Sequence, residues 1–179
     1  MRLSRRFVAR AFAAVVGIGG SGAALADCTD PPLPGVDWRR CTMHSREFVE
    51  ADLTGAKLKD GRFTRANFSN SNLSLIDGRR AKFIDATARK TNFEGARLSG
   101  ADFTKADLSE ASFKNADLYR AQLQGAKLRG ADFSGANTAN ADMLDADLSG
   151  ARWVDGKTIC APGSIGQCKL EATSSGVSG

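Results

Sequence analysis

The chain has 179 residues, 42% of them apolar and 25% charged, an ordinary globular balance that excludes a polytopic membrane protein and a wholly disordered chain. Its formal charge of +5 owes most to Arg2, Arg5, Arg6 and Arg10; without these four, 21 basic residues face 20 acidic ones, a net of +1. The charge therefore gives little reason to expect nucleic-acid binding, and one His and one Tyr leave a sparse catalytic vocabulary.

Residues 1–26 read as a cleavable signal peptide. A basic stretch from Met1 to Arg10 precedes a small-residue apolar run from Ala11 to Leu25, and Ala24-Leu25-Ala26 has the form of a cleavage site. The mature chain is expected to begin at Asp27, periplasmic or secreted. The apolar run, with Gly17, Gly19, Gly20 and Gly22, is too short and too weakly apolar for a good membrane anchor. Ser4-Arg5-Arg6-Phe7-Val8 resembles a twin-arginine export signal; an ordinary basic leader fits the same residues. Cys28 stands one place too late for a lipoprotein.

From Cys41 to Asp155 the chain divides without insertion into 23 blocks of five. Let the middle residue of each block be i. Position i is Leu nine times, Phe eight times, Met twice and Trp once; Gly78, Ala88 and Thr138 are the exceptions. Position i−2 is Ala in 17 blocks. A period of five would spread these residues around a helix and alternate them between the faces of a strand. Each block must therefore contain a corner. Residues i−2 and i then point inward, while i−1, i+1 and i+2, rich in Asp, Asn, Ser, Thr, Gly and charge, face solvent.

Ala51-Asp52-Leu53-Thr54-Gly55, Ala101-Asp102-Phe103-Thr104-Lys105 and Ala146-Asp147-Leu148-Ser149-Gly150 resemble pentapeptide repeats, A-(D/N)-(L/F)-x-x. The resemblance covers residues 41–155. It implies an all-β fold, a right-handed quadrilateral parallel β-helix with four blocks per coil, here about 5.75 coils and roughly 27 Å long. Stacking residues 20 apart gives four columns. The first is Met43, Phe63, Phe83, Phe103, Leu123, Met143 and the second is Phe48, Phe68, Ala88, Leu108, Leu128, Leu148. The third is Leu53, Leu73, Phe93, Phe113, Phe133, Trp153 and the fourth is Leu58, Gly78, Leu98, Leu118, Thr138. Runs such as Phe93-Phe113-Phe133-Trp153 suit stacking along an axis. Gly78 would leave a hole, but Ile76 stands where its block would have Ala and is expected to fill it. Gly78 to Lys90 is the least well packed stretch, read as a tolerated lapse with a site-presenting bulge as the alternative.

A β-helix needs both ends covered. Residues 27–40, with Pro31, Pro32, Pro34 and Trp38, form an N-terminal capping loop, and Trp38 is expected to cover the first coil. Residues 156–170 form a C-terminal cap. The segment Trp153-Val154-Asp155-Gly156 with Cys160 and Gly163-Ser164-Ile165-Gly166-Gln167-Cys168 resembles the end of exported bacterial members of the family. Residues 171–179 read as a disordered tail. Four cysteines allow three pairings. On the β-helix that the resemblance implies, the two ends lie too far apart for a cross-link, which leaves Cys28–Cys41 and Cys160–Cys168. Each loop would contribute about 2.5–3 kcal/mol by chain entropy.

His44 faces outward with no catalytic arrangement around it. The Asp recurring at i−1 (Asp102, Asp107, Asp117, Asp132, Asp142, Asp147) reads as a solvated polar position rather than as paired catalytic acids. The fourth side carries Lys57, Lys59, Arg79, Arg80, Arg97 and Arg120 beside Tyr119, interrupted by Asp60, Asp77 and Asp117. This is a solvated face or a ridge for an acidic partner. A non-enzymatic binding or scaffold protein of the envelope is expected, a monomer without cofactor, metal or nucleic acid, meeting an envelope protein or an anionic polymer. The alternatives are a DNA-mimicking topoisomerase inhibitor, an activity known in the family, and a polysaccharide-active β-helix enzyme. Mimicry needs a negative track, and the enzyme needs clustered acids or bases.

Overall fold

The computed structural model describes residues 28–170; the expected leader and tail lie outside the described residues. The chain is a right-handed quadrilateral β-helix. Each side of each coil contributes one residue, i−1, to a parallel ladder whose steps are 20 residues apart, from Asp37↔Lys57 through Asn72↔Asn92 to Asp132↔Arg152.

One block shows why five residues suffice for a side and a corner. In Ser71–Leu75, Asn72 N–H donates down to Ala51 O at 2.9 Å, while Leu73 and Leu75 N–H donate up to Asn92 O and Glu94 O at 2.7 and 2.9 Å. Ser71 N–H closes the preceding corner on Phe68 O at 3.0 Å. Ser74 N–H, left over, donates to the side chain of Asn72 at 3.2 Å. All five donors are satisfied, as buried or half-buried backbone requires. The corner has φ > 0 at i+2 alone, as in a type II turn. Gly fills some of these places, and sixteen non-glycine residues hold the rest, Leu75 (φ 58°) and Arg80 (φ 57°) among them.

Ala at i−2 follows from the same corner, whose inner edge leaves little room. Among the described residues, the corners leading into Arg46, Ile76 and Thr91 do not close the hydrogen bond back to position i. Each of these carries a larger side chain where Ala is usual.

The interior is filled by the columns. Phe63–Phe83–Phe103 stack at 5.3 and 4.9 Å, and Phe93–Phe113–Phe133 at 5.0 and 5.3 Å, with interplanar angles of 16° or less. The spacing is close to that between neighbouring strands, so the in-register ladder imposes it. Adjacent columns meet edge to face, as Phe93 and Phe103 do at 5.9 Å and 79°. Such pairs contribute about 0.5–1.5 kcal/mol each beyond burial. Ile76 is fully buried. A Cβ at Gly78 would lie 2.9 Å from Leu98 Cδ2 and 3.3 Å from Ile76 Cδ1, so Ile76 and Leu98 occupy the space the missing side chain leaves. The ladder passes through this region unbroken, with Thr87↔Asp107 in register and Ala88 N–H donating to Asp107 O at 2.7 Å. No bulge forms between Gly78 and Lys90.

The body begins one block earlier than the repeat suggests. Val36-Asp37-Trp38-Arg39-Arg40 takes the block conformation: Asp37 joins the ladder, Trp38 N–H donates to Lys57 O at 2.8 Å, and Arg40 has φ 62°. Trp38 therefore does not lie across the end as a loop residue; it heads the fourth column, 1% exposed, with its ring 5.1 Å from Phe48. The added block raises the 23 to 24 and completes six coils, against the 5.75 expected.

Both expected disulfides are present, with Cα–Cα distances of 5.5 Å for Cys28–Cys41 and 4.9 Å for Cys160–Cys168. Cys41 is a buried i−2 residue, so the first bridge ties residues 28–35 directly to the inner wall. At the other end the chain reverses. Ile159 pairs antiparallel with Arg152, and Ile165 with Asp147. Cys160 N–H donates to Ala151 O and Gly166 N–H to Ala146 O, at 2.8 and 2.9 Å, covering the last coil along its third and second sides.

Candidate functional site

The recurring carboxylates and amides at i−1 are more than a solvated position. Their Oδ1 accepts the N–H of residue i+1 within the block, as in Asp102 to Thr104 at 3.0 Å, Asp117 to Tyr119 at 3.1 Å and Asp132 to Ser134 at 2.9 Å. Asp and Asn are the residues that make this local bond. The Thr54 hydroxyl, then its N–H, holds the Asp52 carboxyl below its ordinary range, and the Leu144 N–H does the same for Asp142. These acids are engaged in closing corners. His44 is exposed on the first side.

The four sides differ in charge. Among the described residues of the fourth side, Lys57, Lys59, Arg79, Arg80, Arg97 and Arg120 are joined by Arg39 and Arg40 of the added block, eight cations against Asp37, Asp60, Asp77 and Asp117. The ladder brings all six candidate residues onto this one side because Lys57↔Asp77↔Arg97↔Asp117 is a single run of bridges. Half of the charge is tied up internally. Arg39 grips Asp37 at 2.6 Å and Arg79 grips Asp77 at 2.6 Å, each with two side-chain nitrogens. Arg80 bonds Asp60 across one coil at 2.8 and 3.0 Å, and Lys57 stands 3.9 Å from Asp37. The bond from Arg79 holds the Asp77 carboxyl below its ordinary range, and that from Arg80 does so for Asp60. Arg40, Lys59, Arg97 and Arg120 have no ion-pair partner among the described residues. Arg120 instead lies 5.0 Å from the Tyr119 ring centre.

Arg39 and Arg40 are the members of this side that the repeat boundary left out. The signal for them was present: Asp37 and Trp38 sit at i−1 and i of the same frame, although Val36 departs from Ala. Two clefts, of about 290 and 480 Å3, open at the C-terminal cap; the first lies among Thr138, Met143, Trp153 and Gln167, the second against Ile159, Cys160 and Pro162. Neither is lined by a carboxylate, His or Lys.

Sequence models described as "Pentapeptide repeat region" and "Pentapeptide repeats (8 copies)" match residues 56–133 and 116–152. No curated protein sequence matches the chain. Among solved structures, the pentapeptide repeat protein Rfr23 from the cyanobacterium Cyanothece 51142 is similar with a TM-score of 0.50 and 24% identity, over 62% of this chain and 86% of that one. HetL, a pentapeptide repeat protein involved in heterocyst differentiation regulation from the cyanobacterium Nostoc sp. strain PCC 7120, aligns with a TM-score of 0.42 and 29% identity over 69% and 70% of the two chains. A pentapeptide repeat protein of the Arabidopsis thaliana thylakoid lumen gives 0.42 and 28% over 62% and 70%. Proteins of this kind are in general non-enzymatic structural or binding proteins. From the five-residue frame, the four-sided coil and the two sequence-model matches, which together span residues 56–152, the chain belongs to the pentapeptide-repeat family.

Proposed function

We propose that the protein is exported to the cell envelope and works there by presenting a flat β-helix side to a protein or an anionic polymer, without turnover and without a cofactor. The observation that carries this reading is the fourth side, where eight cations face four carboxylates on a wall whose backbone is hydrogen-bonded at every block. A surface of one dominant sign on a stiff frame raises the local concentration of an oppositely charged partner. The leader supports the envelope setting, and the interleaved acids and bases run against mimicry of a DNA backbone.

The test is binding of the mature chain to anionic envelope components at low and high salt. Arg79 and Arg80 already hold Asp77 and Asp60, so reversing them would also strand two carboxylates. Lys59→Glu/Arg97→Glu is the cleaner variant. Binding that weakens in this variant and fades as the Debye length shrinks to ~3 Å near 1 M salt supports the reading. Unchanged binding removes the basic side from it, and a hydrolytic activity lost on mutating one exposed acid overturns it.

A further inference from the structure

Positive charge is densest away from the centre of the fourth side, at its edge with the first side in the three N-terminal coils. Arg40, Asp60 and Arg80 stack in the corner column there, all with positive φ. Two residues further along the chain, Arg62 and Lys82 are direct neighbours in the first side's ladder, both exposed. Arg40 N–H donates to Lys59 O at 3.0 Å, which brings Lys59 into the same group. Five cations thus gather along this edge, with Asp60 among them and Asp102 one ladder step beyond Lys82. Asp60 is held by Arg80, and its titration also feels Lys59 and Arg40. Arg40, Lys59, Arg62 and Lys82 have no ion-pair partner among the described residues.

We propose that this edge binds a flexible acidic polysaccharide through its carboxylates. The inference rests on the reading that the protein presents a charged surface, and narrows it to one edge and one partner. The edge is convex, so a partner must bend over it. The Phe side chains of these coils are buried and Tyr119 stands on a later coil, so bases would find no stacking platform of the kind single-stranded nucleic acids use. The large exposed apolar residues Leu33, Val49 and Leu75 lie on other sides or corners, which leaves nothing here to insert into a bilayer or to anchor a protein hot spot. What remains is unpaired guanidinium and ammonium, with the Thr42 hydroxyl one ladder step from Arg62. Arginine forks and lysine match carboxylates, and hydroxyls match sugar hydroxyls.

The experiment measures binding of the mature chain to sodium alginate, with dextran, phosphatidylglycerol vesicles and a single-stranded oligonucleotide in parallel. Alginate is expected to bind and dextran not to. Arg62→Gln/Lys82→Gln, which breaks no ion pair and sets no like charge beside Asp102, is expected to keep its melting temperature and lose about tenfold or more in affinity, the scale of one or two charge-assisted contacts. Arg97→Glu/Arg120→Glu is expected to stay within about twofold, because screening isolates charges beyond a Debye length. If the Arg97/Arg120 variant weakens alginate binding and the Arg62/Lys82 variant does not, the surface reading stands and this inference falls. If neither variant matters, or alginate fails to bind, this inference falls, and the surface reading is decided by its own test with envelope components. Vesicles or oligonucleotide binding as tightly as alginate overturns the partner class while leaving the edge in place.

Discussion

The two ends of the coil are closed by different means. At the N-terminus a core residue does it: Trp38 heads the fourth column, packs with its ring tilted against Phe48 and is 1% exposed, and a disulfide draws the preceding loop onto Cys41. At the C-terminus the backbone does it, by laying residues 158–166 antiparallel against two of the four sides. The fourth and first sides stay open there, and Trp153 is only partly buried. A plug belongs to the interior and should fail only with the body. A strap pairs with one coil and should open alone.

The strongest way to break this comparison is Trp38→Ala. A buried aromatic truncated to Ala costs about 3–5 kcal/mol, and urea denaturation should show that loss as a lower midpoint of the whole transition. Trp153→Ala, at the partly exposed end of its column, should cost visibly less; equal losses would erase the distinction. Trp38→Phe should cost little, because the indole N–H is buried without a partner among the described residues and its removal leaves nothing unpaired. Next comes Cys28→Ser/Cys41→Ser, expected to cost about 3 kcal/mol and to lower the global melting temperature. Cys160→Ser/Cys168→Ser should cost about 2.5 kcal/mol by the same account, read as faster hydrogen exchange at Gly150 and Gly166, whose N–H groups bond across the strap, with the body still protected.

A smaller effect separates corner closure from solvation. Asp102→Ala leaves the Thr104 N–H without its acceptor and, since Asp102 makes no ion pair among the described residues, should cost about 1 kcal/mol by thermal melt, whereas a merely solvated acid would cost nothing. The smallest is a pH effect confined to the strap. The Thr158 hydroxyl, then the Thr158 and Lys157 N–H groups, lower Asp155 from 3.8 to about 2. A carboxyl depressed on folding stabilises above its unfolded pKa and loses that stabilisation as pH falls through its folded value. Protection near Thr158, taken relative to the intrinsic exchange rate at each pH, should therefore fall between pH 4 and 2, and Asp155→Asn should flatten that dependence.

The five-residue frame carried most of this fold, because inward and outward positions repeat in phase from Cys41 to Asp155. Ile76 could be matched to Gly78 by volume alone. The block at Val36–Arg40 was missed because Val36 stands where Ala is usual and the prolines before it read as a loop, although Asp37 and Trp38 keep the frame. The work of the i−1 acids was missed for a different reason: Asp and Asn suit both solvent and a local bond to the N–H of i+1, and periodicity cannot separate the two. Side membership of Lys57 through Arg120 followed from the spacing of 20. Which of those cations are already occupied did not, since Arg79 to Asp77 runs along the chain and Arg80 to Asp60 runs between coils.

Four blocks to a coil also govern which insertions and deletions the chain could tolerate. Removing one block would turn everything beyond it by a quarter, moving Arg97 off the face it shares with Asp77 and carrying the reversal at Ile159 to a different wall. Removing twenty residues, from Ala96 to Asn115 for example, would shorten the rod by ~4.8 Å and leave every remaining residue on its own side. In a gene, duplications and losses in steps of sixty bases would lengthen or trim this molecule like a ruler, while any other multiple of fifteen would rewrite its surface.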